Sequence, residues 1–303
     1  MRDLAPPLPP PLWITRHALL TACGEGAGAL ATPVPWSTSG RGARGALWPR
    51  KASEACPAVS AKVEQRDRAC AHALLAAHRL LEGCDLGSPE HVAVVLGTAL
   101  GCGSVNDAYH RSTLPPVSRP SPVLFGYTVP SAPVGEVAVA FGLRGHQLTI
   151  LAGACSGLAA VAEARRTLLL GRARAVVVIA SDVLSLDRVE LLHQQGSPPP
   201  IEATVALLIE PPDHATAHGR SAEAELLGVT WEPPGASGPP RAFTHLGASG
   251  LVELACALAT PEPGERIFSV QDQGQRLRLA VRPGPPGASR PPESPSHAPR
   301  MAR

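Results

Sequence analysis

Aromatic side chains make up only 3% of the 303 residues, and the 27 basic and 25 acidic residues nearly cancel. A chain so poor in rings offers no stacking platform for bases, and a net charge of +2 creates no field toward nucleic acid or a membrane surface. No run of about eighteen apolar residues occurs, so membrane insertion is not expected. The prolines from Pro6 to Pro11 also break the positive-then-apolar order of a signal peptide. Seven cysteines, odd in number and without a C-x-x-C pair, suit neither a disulfide framework nor a cysteine-rich zinc site. The expectation is a cytoplasmic protein with no metal and no bound cofactor.

Proline is abundant instead, with 34 residues, and its placement punctuates the chain. Pro6 to Pro11, Ser197 to Pro200, Pro233 to Pro240 and the tail from Pro283 read as linkers, loops and a disordered terminus, since proline lacks a backbone donor. Between them the apolar periodicity predicts a strand near Leu12 to Thr15, a helix from Asp67 to Leu81, a strand from His91 to Leu96 and a helix around Gly135 to Phe141. Thr204 to Glu210 and Ala222 to Thr230 read as two adjacent strands. Gly247 to Ala259 follows as a helix, and Ile267 to Val270 with Leu277 to Val281 as a closing hairpin. Alternating strands and helices predict a layered α/β fold.

Gly145 to Asp182 is the segment richest in chemistry. An apolar strand, Leu148 to Leu151, enters Gly153-Ala154-Cys155-Ser156-Gly157 and then a helix, Leu158 to Leu170, that stops at Gly171 before the apolar strand Ala175 to Ala180. This is a β-α-β unit with both strands expected to be buried. A thiol at such a turn lies near the positive end of the helix dipole, which favours thiolate, so Cys155 is a candidate nucleophile. An unpaired cysteine filling a tight turn is the plainer alternative.

Several segments in order carry a resemblance: "WITRHALLTACGEG", "EQRDRACAHALLAAHRLL", "HVAVVLGTALG", "SPVLFGYTVPSAPVGEVAVAFGLRG", "EARRTLLLGRARAVVVIASDVLS" and "ATVALLIEPPDHATAHGRSAEAELLGV". Together they resemble the β-ketoacyl synthases of the thiolase-like superfamily, over most of Leu12 to Val281. The resemblance implies a thiolase-like layered α-β-α fold, with a nearly complete N-terminal half and a reduced C-terminal half. The expected organisation is a Pro-rich tail (1–11), a ketosynthase N-terminal-like domain (12–232), a Pro/Gly-rich linker (233–240), a remnant of the C-terminal half (241–282) and a Pro-rich tail (283–303).

Register tests catalytic competence. In active ketosynthases a Gly-Pro pair opens the strand, and the nucleophilic cysteine lies nine positions after that glycine. Gly145-His146 stands in the pair's place here, so the nucleophile's position falls on Ala154, with Cys155 one residue beyond. Side chains one residue apart on a helix point about 100° apart, and a displaced nucleophile loses orders of magnitude in rate. "CSGLAAVAEARR" resembles the corresponding helix of chain-length factors, homologues that carry another residue at the cysteine position. The family also uses two histidines to stabilise oxyanion and enolate. "FTHLGASGLVELACAL" makes His245 the nearest equivalent of the second, one residue short in its spacing to Gly247. The first has no counterpart, and a Gly/Phe-rich gatekeeper loop is reduced to "VQDQGQ".

Weaker signals complete the reading. Gly97 to Gly103 lacks the Lys-Ser/Thr ending of a phosphate loop and reads as a turn. Gly153 to Gly157 fits a nucleophile elbow, with Asp182 and His245 following in a permissible order for a cysteine hydrolase. Arg165, Arg166, Arg172 and Arg174 form a basic cluster that could meet an acidic acyl carrier protein, though a solvated helix face is the ordinary explanation. The favoured expectation is a non-condensing, chain-length-factor-like subunit of fatty-acid or polyketide synthesis. Its partners would be an active ketosynthase or a second copy, and an acyl carrier protein. The alternatives are an acyltransferase or condensing enzyme using Cys155 and His245, and the cysteine hydrolase. The resemblance places the strand Gln147 to Gly153 at a dimer interface.

Overall fold

The computed structural model describes residues 10–284, apart from 58, 117–118, 233–244, 261 and 273–274. The expected linker at 233–240 and nearly all of the two terminal tails lie outside the described residues. The chain opens with β1 (Leu12–Thr21), β2 (Gly24–Glu25), β3 (Trp36–Thr38) and β4 (Arg44–Ala46), followed by α1 (Ala52–Ala55), α2 (Ala61–Arg66) and α3 (Arg68–Leu81). β5 (Val92–Gly97), α4 (Gly103–Thr113), α5 (Pro122–Phe125) and α6 (Ala132–Phe141) lead to β6 (Gln147–Ile150), α7 (Ser156–Leu169) and β7 (Ala175–Asp182). α8 (Leu186–Gln194), β8 (Ala203–Glu210), α9 (Pro212–Ala217) and β9 (Ala224–Glu232) precede α10 (Ser249–Ala259), β10 (Arg266–Asp272) and β11 (Gln275–Pro283).

One sheet runs through both halves in the order β10-β11-β9-β1-β8-β7-β5-β6, with β2 paired to β1 at the side. β5 is parallel to both β6 and β7, and the remaining pairs are antiparallel. β5, β7 and β8 are buried along their whole lengths, which is why they read as unbroken apolar runs rather than alternating ones. α3 and α6 cover one face of these strands. α3 starts where the Asp67 carboxylate accepts the Ala69 N–H at 2.9 Å, and its small side chains let it lie close to the sheet. α7 and α10 cover the other face, and Leu226, Phe268, Val270, Leu277 and Leu279 of β9 to β11 close over them. The layers therefore run helix, sheet, helix, and the β9–β11 end of the same sheet packs over α7 and α10.

The outer face of that last layer is polar. Arg276 and Arg278 pair with Glu232, and Arg282 with Glu225. Among the described residues, the segment expected as the C-terminal remnant contributes α10, β10 and β11.

Three expectations need correction. β6 is not buried like β7: it ends the sheet, its residues are exposed or half-buried, and Leu151 beyond it is 54% exposed. An apolar strand of four residues looks the same in sequence whether or not a neighbour covers its far edge. β8 and β9 are not neighbours either, because β1 is inserted between them. β1 also runs to Thr21, six residues past the predicted end, because Arg16 to Thr21 pair along β8 with Leu208 to Ala203.

Candidate functional site

The turn between β6 and α7 is built around Gly153. Its φ of +53° is a left-handed conformation that glycine adopts without strain, and it starts the single 3₁₀ turn Gly153–Cys155 from which α7 rises. Ser156 stitches the turn together. Its hydroxyl accepts the Ala152 N–H at 2.9 Å and faces the Gly153 and Thr98 carbonyl oxygens at 2.7 and 2.9 Å.

Ala154, at the position expected for the nucleophile, has no reactive atom, and its backbone N–H donates to Asp272 Oδ2 at 2.7 Å. Cys155 is 2% exposed, with Sγ 3.6 Å from the Val270 carbonyl oxygen under β10. Burial, and then the nearby Asp272 charge, push its thiol above the ordinary range. The start of α7 acts the other way on a thiol at this turn. This thiol is packed rather than presented, whereas an elbow nucleophile must stand exposed on its turn.

His245 lies half-buried just before the 3₁₀ turn Leu246–Ala248, which packs against the Cys155 turn. The structure thus brings together the two turns that hold the sequence candidates. Burial lowers the His245 pKa to about 4, so its imidazole is neutral at neutral pH. Leu246 has φ +50°, unusual for a residue with a side chain, at the point where the spacing to Gly247 is one residue short.

Asp182 ties these parts to the sheet. Its Oδ1 accepts from Thr98 Oγ1, Ala99 N and Leu100 N at 2.8, 2.9 and 2.8 Å, and its Oδ2 accepts from Gly247 N at 2.7 Å. A Cβ on Gly247 would lie 2.8 Å from the Ala99 nitrogen, so the approach requires glycine. Burial raises the Asp182 pKa to about 6 despite four donors. With its oxygens committed to Thr98–Leu100 and Gly247, this carboxylate serves as a brace, not as the acid of a hydrolase triad.

Beyond the ends of β5 and β7 lies a cavity of about 330 Å³, walled by Leu47, Leu100, Cys102, Val105, Leu124 and Leu184 among others. Of the charged residues on its wall, Arg68 pairs with Glu202 at 3.0 Å, Glu64 accepts the Ala52 and Ser53 amides, Asp67 accepts the Ala69 amide, and Arg66 reaches the Tyr127 hydroxyl. Glu202 is buried, and burial raises its pKa to about 7 against the lowering effect of Arg68. Sequence reading took Gly97 to Gly103 as a simple turn. It becomes a wall of this cavity and the start of α4, which has no apolar stripe to announce it. Asp272 was also missed, although its segment had been singled out, because a charge in a hairpin reads as solvated.

Of the four basic residues noted after Cys155, Arg166 pairs with Glu163 at 2.6 Å, and Arg174 pairs with Asp213. Arg172 is exposed. Among the described residues there is no group of three His, Cys, Asp or Glu able to hold a metal, and no helix is long and apolar enough to cross a membrane.

The continuous sheet, the two central helices and the strand-turn-helix site define a thiolase-like α/β protein. Residues 47–196 match the family model of the β-ketoacyl synthase N-terminal domain, and the chain belongs to the β-ketoacyl synthase family. Solved structures agree in fold. The ishigamide ketosynthase/chain length factor is 17% identical, with 90% of this chain and 99% of that chain covered and a TM-score of 0.75. A type II polyketide synthase acyl-carrier protein in complex with its ketosynthase bound to the hexaketide gives 14% identity, 91% and 100% coverage and a TM-score of 0.75. A β-ketoacyl synthase from Burkholderia phymatum STM815 gives 13% identity, 90% and 99% coverage and a TM-score of 0.74. No curated protein sequence matches the chain. The chain is related to the synthases of polyketide and fatty-acid assembly.

Proposed function

We propose that this chain is a non-condensing, chain-length-factor-like subunit that pairs with an active ketosynthase and shapes the tunnel for its growing acyl chain. The observation that carries this reading is that the amide of Ala154, the residue expected at the nucleophile's position, is occupied by Asp272 while Cys155 is buried beneath Val270. Two further features support it. The cavity beyond β5 and β7 offers an uncharged chain an apolar wall from Leu47, Leu100, Val105, Leu124 and Leu184, with Arg68 beside it paired to Glu202. The free edge of β6 offers a place to pair. Val94 N and Thr98 N bond the His146 and Ile150 carbonyls, so the even-numbered residues face β5, and Gln147 and Thr149 turn their backbone groups outward.

The partner is a full ketosynthase in this reading, and an acyl carrier protein delivers the chain to the pair. Co-expression with such a ketosynthase, followed by affinity capture and acyl-thioester labelling, is the test. A stable complex acylated only on the partner is expected. Rapid stoichiometric acylation of Cys155 would sink the reading in favour of an active acyltransferase, and ester hydrolysis lost in Cys155→Ala would favour a hydrolase.

A further inference from the structure

We propose that Asp272 is a built-in anion that closes the start of α7: its carboxylate holds the amide that an acyl oxyanion or a substrate carboxylate would use. The chain is then shut to such groups by charge, as well as by the missing thiol at residue 154. Backbone amides at the start of a long helix attract negative charge, and an oxyanion is stabilised where such donors already point. Here the donor is taken from within, by Asp272 Oδ2 at 2.7 Å from the Ala154 nitrogen.

The surroundings are shaped for that carboxylate. A Cβ on Gly153 would come 1.9 Å from Asp272 Oδ2, so the seat exists because residue 153 has no side chain. The strap carrying Asp272 is anchored on both sides. Val270 and Leu277 are paired across the hairpin and buried in the core, and the Val270 carbonyl lies over Cys155. Asp272 also contributes to the raised pKa of Cys155, which a charge close to the turn must do. This closure is a property of the chain itself and holds whichever partner it takes.

A reporter thiol introduced by Ala154→Cys tests it. Alkylation of that thiol is followed by peptide mass mapping across pH, with neutral iodoacetamide and anionic iodoacetate. In Ala154→Cys alone the thiol is expected to titrate no lower than an ordinary cysteine, about 8.5, in spite of the helix start. Titration about one unit or more below that overturns the proposal. Adding Asp272→Asn keeps the shape and removes the charge. It is expected to raise the thiolate fraction, and the iodoacetate rate relative to iodoacetamide, about tenfold. Gly153→Ala, whose methyl group displaces the carboxylate, is expected to move both in the same direction. Values within about twofold of Ala154→Cys in either folded variant overturn the proposal.

Discussion

Asp182 Oδ2 accepts the Gly247 N–H at 2.7 Å, and this bond joins the end of β7 to the turn that leads into α10. The other oxygen of the same carboxylate holds the loop after β5, so a single side chain sets the geometry of three segments around the Cys155 turn.

Replacing Asp182 by asparagine leaves one oxygen for donors that now use two, and turns an amide N–H₂ toward one of them. Asp182→Asn is expected to lose about 1–3 kcal/mol of stability, since a buried donor is left unsatisfied. Urea unfolding followed by circular dichroism measures this. A variant as stable as the parent would show that the brace is dispensable.

Glu202 predicts a pH dependence. Its pKa is raised from 4.5 to about 7, so the folded state binds that proton more tightly than the unfolded chain does. The associated stability is full below about 4.5 and is lost as pH rises toward 7. Glu202→Gln cannot titrate, so its melting temperature relative to the parent should rise between pH 5 and pH 8 by the order of a few degrees. A constant difference across that range would show that Glu202 keeps an ordinary pKa. His72, buried beside it with a pKa lowered to about 3, pulls the parent's own profile the other way, so the comparison must be between variant and parent.

Alkylation of the native cysteines gives a direct ranking. Cys23, Cys84 and Cys256 are half-buried, whereas Cys56, Cys70, Cys102 and Cys155 are buried. Iodoacetamide at neutral pH is expected to modify the first three before Cys155, by at least about tenfold in rate. Mass mapping that finds Cys155 first would mark it as a presented nucleophile.

Thr149→Pro addresses the edge strand. Thr149 directs its backbone outward from β6, so proline there removes a donor the fold does not use while blocking strand pairing. Loss of the ketosynthase complex by affinity capture, with a melting temperature within about 5 °C of the parent, is the expected result. An intact complex would move the interface elsewhere.

Most of the architecture could be read from periodicity alone. α3, α7, α10, β5, β7 and the β10–β11 hairpin fall close to where apolar patterning places them, because the core imposes a local rhythm on each. Counting from Gly145 assigns the expected nucleophile position to Ala154 on spacing alone. α4 and α8 escaped notice because they lie on the surface with weak apolar stripes.

The sequence by itself determined the family, the β-α-β framework and the absence of a thiol at residue 154, since all three are written in local spacing. Only the tertiary structure decided the state of the site, because that depends on groups distant in sequence. Asp272 reaches the Ala154 amide across 118 residues, and Asp182 reaches Gly247 across 65. The same holds for β6, whose composition suits a buried strand and whose position at the end of the sheet leaves it with one neighbour.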